Sequence, residues 1–156
     1  MAEQTPPQGP EQTAPSAPTG WSGHRAMTLD DLARLQPGLG RLMPEIGQRM
    51  WKLYYAAQAA NWPLARYQVA EIRGLMATCA FTRPKYAEHL QTYVSQHLAT
   101  LDQRLEAQDW EGFERAFRKA VDVANAYHRI WEKPFIVWKL PDMPPPDLDL
   151  RPQAGR

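Results

Sequence analysis

Residues 84–107 read PKYAEHLQTYVSQHLATLDQRLEA and carry the cleanest helical pattern in the chain. Apolar side chains recur at intervals of three and four residues, which places them on one face of an α-helix. This stripe consists of Tyr86, Leu90, Tyr93, Val94, His97, Leu98, Leu101 and Leu105. The stretch therefore predicts a long amphipathic helix that buries one face against other helices.

Three further stretches show the same periodicity. One stripe runs from Leu39 to Ala57, and two more predict helices over 63–80 and 110–132. A short helix is predicted over 29–35, ahead of these long ones. Four long amphipathic helices joined by short connections predict an all-α protein with the architecture of an antiparallel four-helix bundle.

Residues with capping side chains support the predicted helix starts. Thr28 precedes the short helix, and Asp31 follows three residues later, where a carboxylate favours the positive end of a helix. Asn61 or Trp62 precedes a proline suited to a first helical position, and Asp109 precedes the last helix.

The two ends of the chain differ in composition from the middle, because most of the 15 prolines lie near them. We expect residues 1–27 to be a disordered tail, 28–140 to be the helical domain, and 141–156 to lead away as a polyproline-like tail. Residues 135–140 are β-prone but have no partner strand. They are predicted to lie extended across the bundle and to bury alternate side chains.

Composition argues against several functional classes. A formal net charge of +1 argues against bulk nucleic acid as a partner. The single cysteine, Cys79, excludes an intramolecular disulfide and a multi-thiolate zinc site. No window reaches the roughly 20 apolar residues that span a bilayer. Residues 1–24 contain no secretory signal, so we expect a cytoplasmic protein, or a periplasmic one if an export signal was removed before Met1.

A few isolated residues could carry chemistry. His97 lies on an apolar stripe and is either a hydrogen-bonded core residue or a ligand, although spacing identifies no second ligand. Glu71 is expected to pair with an arginine, and Cys79 to be a structural thiol. Glu88 and His89 are adjacent and are expected to form solvated surface.

Two aromatic residues fall off the main stripe of the first long helix. Trp51 and Tyr55 could cover the extended residues 135–140, or they could form an exposed contact patch that binds a partner. The sequence leaves both alternatives open.

Two stretches together carry a resemblance to a known family. Residues 51–72 (WKLYYAAQAANWPLARYQVAEI) and the residues ANAYH at 124–128, followed by KPFIV at 133–137, resemble small bacterial c-type cytochrome-like proteins. Those proteins are helical bundles related in architecture to cytochrome c prime. The family's haem site reads CxxCH, in which two cysteines form thioethers and the histidine binds iron.

The resemblance assigns the two cysteine positions to Ala124 and Tyr127, and the position of the iron ligand to His128. It therefore implies a degenerate member of the family that cannot attach haem covalently. It also leads us to expect that side chains, Tyr127 above all, fill the former haem pocket.

The leading functional hypothesis is a non-catalytic binding or structural protein without a cofactor, which acts as an interaction module or accessory subunit. Its partner would be a protein or a larger complex, and a homodimer formed through a helix pair is one option. The alternative is a sensor that binds haem or another small ligand non-covalently through His128. A third hypothesis is a metal-dependent enzyme that uses His97, His128 and Glu71.

Overall fold

The computed structural model describes residues 18–153, which are mostly helical. The chain divides into two compact units, one ending at Gln36 and the other beginning at Pro37. The helical domain therefore starts later than the predicted residue 28, because the first short helix belongs to the N-terminal unit.

The N-terminal unit contains a small hairpin followed by a helix. Strands β1 (Thr19–Trp21) and β2 (Ala26–Thr28) pair antiparallel, and helix α1 spans Leu29–Arg34. The predicted capping signal is confirmed, since Thr28 Oγ1 accepts the Asp31 N–H at 3.1 Å and the Asp31 carboxylate accepts the Thr28 N–H at 3.0 Å.

This hairpin corrects part of the predicted N-terminal tail. We expected disorder across 1–27, whereas residues 19–21 and 26–28 are paired strands. The remainder of that prediction, over residues 1–17, lies outside the described residues. The hairpin could not be predicted from composition, because strands of only three residues each are too short to leave a recognisable pattern.

The second unit consists of helices that follow one another through short connections. The caps predicted at Asn61 and Asp109 are confirmed, because Asn61 accepts the Leu64 N–H at 3.3 Å and Asp109 accepts the Gly112 N–H at 2.9 Å. The helical elements are α2 (Leu39–Gln58), α3 (Trp62–Thr82), a 3₁₀ turn (Pro84–Tyr86), α4 (Ala87–Thr92), a π-helical segment (Tyr93–Leu98), α5 (Ala99–Glu106) and α6 (Trp110–Ile130).

The core of this unit is built from the predicted apolar stripes. Buried side chains from α2, α3, the π-helical segment, α5 and α6 form one cluster. Its largest fully buried members are Phe113, Phe117, Ile46, Met50, Leu53, Ile72, Leu98, Leu101 and Leu105. No helix among the described residues is both long and apolar enough to cross a membrane.

The segment predicted as the third long helix is helical from Pro84 to Glu106, but it is not regular. Its backbone widens into π-helical turns over Tyr93–Leu98. The buried Tyr93 hydroxyl donates to the Ala120 carbonyl at 3.2 Å, and burial raises the pKa of this phenol. π-Helical turns inside α-helices are frequent beside functional sites, and Tyr93 also lines the cavity described below.

The stretch after α6 is extended, as predicted. Trp138 and Leu140 pack against the core, while Phe135 and Val137 are exposed. Burial therefore alternates from Val137 to Leu140, whereas Phe135, Ile136 and Val137 are all exposed, so the predicted burial of alternate side chains holds for only part of the segment. No strand among the described residues pairs with this segment.

The residues beyond this segment correct the predicted C-terminal tail. The described part of residues 141–156 folds back along α2 rather than leading away. The Tyr55 hydroxyl donates to the Pro141 carbonyl, and the Asn61 amide donates to the Leu150 carbonyl at 3.3 Å. Pro145 and Leu150 are buried, so apolar side chains anchor a stretch whose proline content had suggested a free tail.

Candidate functional site

A cavity of about 520 Å³ lies beside the C-terminal end of α6. Its walls come from the first turns of α2, the segment 86–93, the last turns of α6 and the extended segment 133–138. Most of the lining side chains are apolar or aromatic. This volume lies within the range of cavities that bind small molecules, and such sites are usually apolar with a few polar groups.

The three positions that the resemblance assigned to haem attachment all line this cavity. Ala124, Tyr127 and His128 occupy one face of α6, because residues three and four apart are neighbours on a helix. The structure therefore brings the predicted site residues together.

We expected side chains to fill a former haem pocket, whereas a cavity is open beside the three positions assigned to haem attachment. Tyr127 forms part of the wall, where its ring stacks on His89 with centroids 4.6 Å apart and planes inclined by 20°. The Tyr127 side chain therefore lies against a neighbouring ring, and the cavity remains open beside it.

His128 is held in one orientation by the chain that follows α6. Its Nδ1 lies 3.0 Å from the Ile136 carbonyl oxygen, which can only accept a hydrogen bond. The neutral ring therefore carries its proton on Nδ1 and keeps a lone pair on Nε2. Burial lowers the pKa of this imidazole, although the carbonyl acts in the opposite direction. His128 is thus set up as a neutral ring with an acceptor nitrogen.

His89 belongs to the same cavity, which corrects its prediction as solvated surface. The Trp131 indole N–H donates to His89 Nδ1 at 2.9 Å, and the ring is half-buried between Tyr127 and Trp131. A signal was present in the sequence, because position 89 lies three residues after Tyr86 and four before Tyr93 on the apolar stripe. The partner Trp131 could not be inferred, since it lies 42 residues away, just after the end of α6.

One side chain fixes the extended wall of the cavity. The Asn125 amide donates to the Trp138 carbonyl at 2.9 Å, and its oxygen accepts the Trp138 N–H at 2.7 Å. The indole of Trp138 then packs edge-on against Trp51, with ring centroids 5.8 Å apart. Asn125 thus supplies the backbone pairing that a neighbouring strand would otherwise provide.

Replacing Asn125 with alanine should destabilise this wall, because both backbone groups of Trp138 lose their partners. We expect the free energy of unfolding to fall by about 1–3 kcal/mol. Urea denaturation followed by far-UV circular dichroism measures the change. The matched control is Asp122→Ala at an exposed position on the same helix, which should change little. Equal stability of the two variants would contradict the role of Asn125.

Trp51 and Tyr55, the predicted partner-binding residues, are covered by the C-terminal part of the chain. Trp51 is 8% exposed and contacts Trp138 and Phe117, while Tyr55 bonds to Pro141. Trp51 thus covers the extended segment through Trp138, as one of the two alternatives expected, whereas Tyr55 bonds to Pro141 just beyond that segment. Neither ring forms an exposed patch.

The remaining candidate residues lie outside the cavity. Glu71 pairs with Arg49 at 3.7 Å, which confirms the expected arginine partner. His97 lies beside Tyr93, with ring centroids 5.4 Å apart, and burial lowers the pKa of its imidazole. Cys79 is fully buried, and burial raises the pKa of its thiol.

The hypothesis of a metal-dependent enzyme finds no support in this geometry. His97, His128 and Glu71 do not form a cluster, and residues 18–153 contain no group of three or more potential histidine, cysteine or carboxylate ligands. No family model, curated protein or solved structure was found to match this chain. The cytochrome c prime-like resemblance, the protein partner and the homodimer therefore stay predictions.

Proposed function

We propose that this chain is a non-catalytic binding protein whose cavity beside α6 holds an apolar small molecule. The observation that carries the proposal is the open cavity of about 520 Å³ at Ala124, Tyr127 and His128. These are the positions at which the resemblance locates a haem. In this proposal, the chain derives from a haem-binding bundle. It has lost the two cysteines that form thioethers with haem, and it has kept the cavity.

The packing of the second unit supports a four-helix bundle as the scaffold. α2, α3, the helical segment 84–106 and α6 contribute side chains to one core, and the connections between them are short. Short connections favour antiparallel neighbours, and bundle proteins commonly bind ligands between their helices.

The walls of the cavity support an apolar ligand. Trp131 and Tyr86 pack edge-on with ring centroids 4.5 Å apart, and Tyr127 stacks on His89 nearby. Aromatic surfaces of this kind bury large areas and stabilise flat rings by stacked or edge-on contacts. Lys133 is the one ammonium group that lines the cavity, and it is solvent-exposed at the rim.

Titration with N-phenyl-1-naphthylamine, a neutral fluorophore that brightens in apolar surroundings, tests the proposal. We expect a saturable rise in emission with one probe bound per chain, together with a change in tryptophan emission, because Trp131 and Trp138 line the cavity. A fluorescence rise that does not saturate, or a stoichiometry of several probes per chain, would contradict a defined cavity. Native-state circular dichroism at the end of the titration excludes binding to unfolded chain.

A second candidate function is non-covalent haem binding through His128. The observation that favours it is the hydrogen bond from Nδ1 to the Ile136 carbonyl, since metal-binding histidines usually donate their other ring N–H to such a group. Covalent attachment does not fit these residues, because Ala124 and Tyr127 carry no sulfur. Haem, when bound, would supply an iron centre, and His128 would serve as its axial ligand.

Adding haemin to the purified protein distinguishes the two candidates. Haem binding through His128 predicts a Soret shift that is lost in His128→Ala. The matched control is His97→Ala, which changes a half-buried histidine outside the cavity. A Soret band that stays unshifted, or that shifts equally in all three proteins, would exclude His128 as the haem ligand.

A further inference from the structure

The two histidines that line the cavity have opposite hydrogen-bonding polarity. An indole N–H only donates, so His89 Nδ1 accepts the Trp131 hydrogen bond and the neutral ring carries its proton on Nε2. A backbone carbonyl only accepts, so His128 carries its proton on Nδ1 and keeps the lone pair on Nε2. The protein therefore sets the tautomer of each ring through a different partner.

No protein group among residues 18–153 forms a hydrogen bond with Nε2 of either ring. Both imidazoles line the cavity, so its otherwise apolar wall includes one ring whose unbonded nitrogen can donate and one whose unbonded nitrogen can accept. Desolvating such groups without giving them a partner costs free energy, and a bound molecule that lacks matching groups would incur that cost.

We propose that the cavity selects a neutral hydroxylated aromatic molecule. Its hydroxyl hydrogen donates to Nε2 of His128, and an oxygen of the same molecule accepts the Nε2–H of His89. This inference rests on the proposed function, since it requires that the cavity binds a ligand, and it adds the chemical class of that ligand.

The same arrangement of one hydrogen-bond donor and one acceptor disfavours two other classes of aromatic ligand. A molecule that only accepts hydrogen bonds, such as an ether or a quinone, leaves the His128 lone pair without a donor. A carboxylate presents negative charge to that lone pair, and the exposed Lys133 at the rim offers only weak compensation. The flat aromatic walls formed by Tyr127, Tyr86 and Trp131 favour a ring over a flexible chain.

Displacement of N-phenyl-1-naphthylamine by three matched compounds tests the inference. 1-Naphthol offers a donor and an acceptor, 1-methoxynaphthalene offers an acceptor only, and naphthalene offers neither. We expect 1-naphthol to bind about tenfold more tightly than naphthalene, with 1-methoxynaphthalene in between, since each hydrogen bond contributes a factor of roughly two to ten.

Two substitutions test which histidine forms each of the proposed hydrogen bonds to the ligand. His128→Phe should remove the preference for 1-naphthol over 1-methoxynaphthalene, and His89→Phe should remove the preference for 1-methoxynaphthalene over naphthalene. His97→Phe is the matched control, because its histidine does not line the cavity, and it should preserve the full order. If a cavity variant fails to fold, the order measured with the unmodified protein still decides the inference.

The outcomes separate this inference from the proposed function. Equal affinities for the three compounds would overturn the inference and leave an apolar cavity in place. Equal binding of 1-naphthol and 1-methoxynaphthalene, both tighter than naphthalene, would overturn the acceptor role of His128. Failure of the fluorescent probe and of every compound to bind would instead contradict the proposed function itself.

Discussion

Replacing Ala124 with leucine is expected to abolish binding of N-phenyl-1-naphthylamine while the protein stays folded. Ala124 is 8% exposed, lies on α6 and lines the cavity, so a larger side chain there occupies the space that a ligand would fill. We expect at least a tenfold loss of affinity, which corresponds to about 1.4 kcal/mol. The thermal midpoint should stay near that of the unmodified protein or rise, because added methylenes that fill an apolar cavity are stabilising.

The matched control is Ala126→Leu, on the same helix. Ala126 is half-buried and does not line the cavity, so this change adds the same atoms outside the site and should leave probe affinity unchanged. Fluorescence titration and differential scanning calorimetry of both variants measure the two quantities. Retained affinity in Ala124→Leu would show that the probe binds elsewhere.

Replacing Phe117 with alanine is expected to cause the largest loss of stability among the predicted changes. Phe117 is 1% exposed and lies within ring-contact distance of Trp51, Tyr54 and Phe113, at centroid separations of 6.4, 5.0 and 5.8 Å. Replacing a buried phenylalanine with alanine lowers the free energy of unfolding by about 3–5 kcal/mol. The loss has two parts: the transfer free energy of the deleted ring and the cost of the cavity that remains. This is a large part of the total stability of a domain of this size, about 5–15 kcal/mol.

Urea denaturation of Phe117→Ala beside Phe135→Ala makes the comparison quantitative. Phe135 is 76% exposed, so deletion of the same ring there should change the free energy of unfolding by less than about 0.5 kcal/mol. The two variants differ only in the burial of the lost ring. A loss below about 1 kcal/mol for Phe117→Ala would contradict the packing of this core.

The helices and their starting residues could be predicted from the sequence because their determinants are local. Apolar spacing of three and four locates the buried faces, and Thr28 and Asp109 cap helices through bonds to residues three positions away. The extended conformation of residues 135–140 was also predictable, although its side chains alternate between exposed and packed positions only from Val137 to Leu140.

The features that were not predicted depend on contacts between residues distant in sequence. The C-terminal residues bind along α2 through single groups such as the Asn61 amide and the Leu150 side chain, which leave no periodic signal. The π-helical turns over Tyr93–Leu98 keep the apolar spacing of an α-helix in the sequence. Proline-rich composition indicates which segments fold poorly alone, but not whether a surface elsewhere in the chain holds them.

The candidate site was predicted in part. The resemblance alone assigned Ala124, Tyr127 and His128, and the structure places all three on one cavity. That this cavity is open could not be inferred, because its volume depends on how the segments around α6 pack together. The role of His89 was missed because Trp131, which sets the proton position of its ring, lies 42 residues away.

The extended wall over residues 133–138 is restrained on both sides. Upstream it emerges directly from α6, and downstream the chain is fastened to α2 through Tyr55 and an ion pair between Lys52 and Asp147. Because both ends of this segment are held, it cannot move away from the cavity as a free chain end could. Opening the cavity on this side therefore requires local unfolding, in which several of these hydrogen bonds and ion pairs break together. If the proposed ligand leaves only through this side, the rate of that local unfolding sets its rate of release.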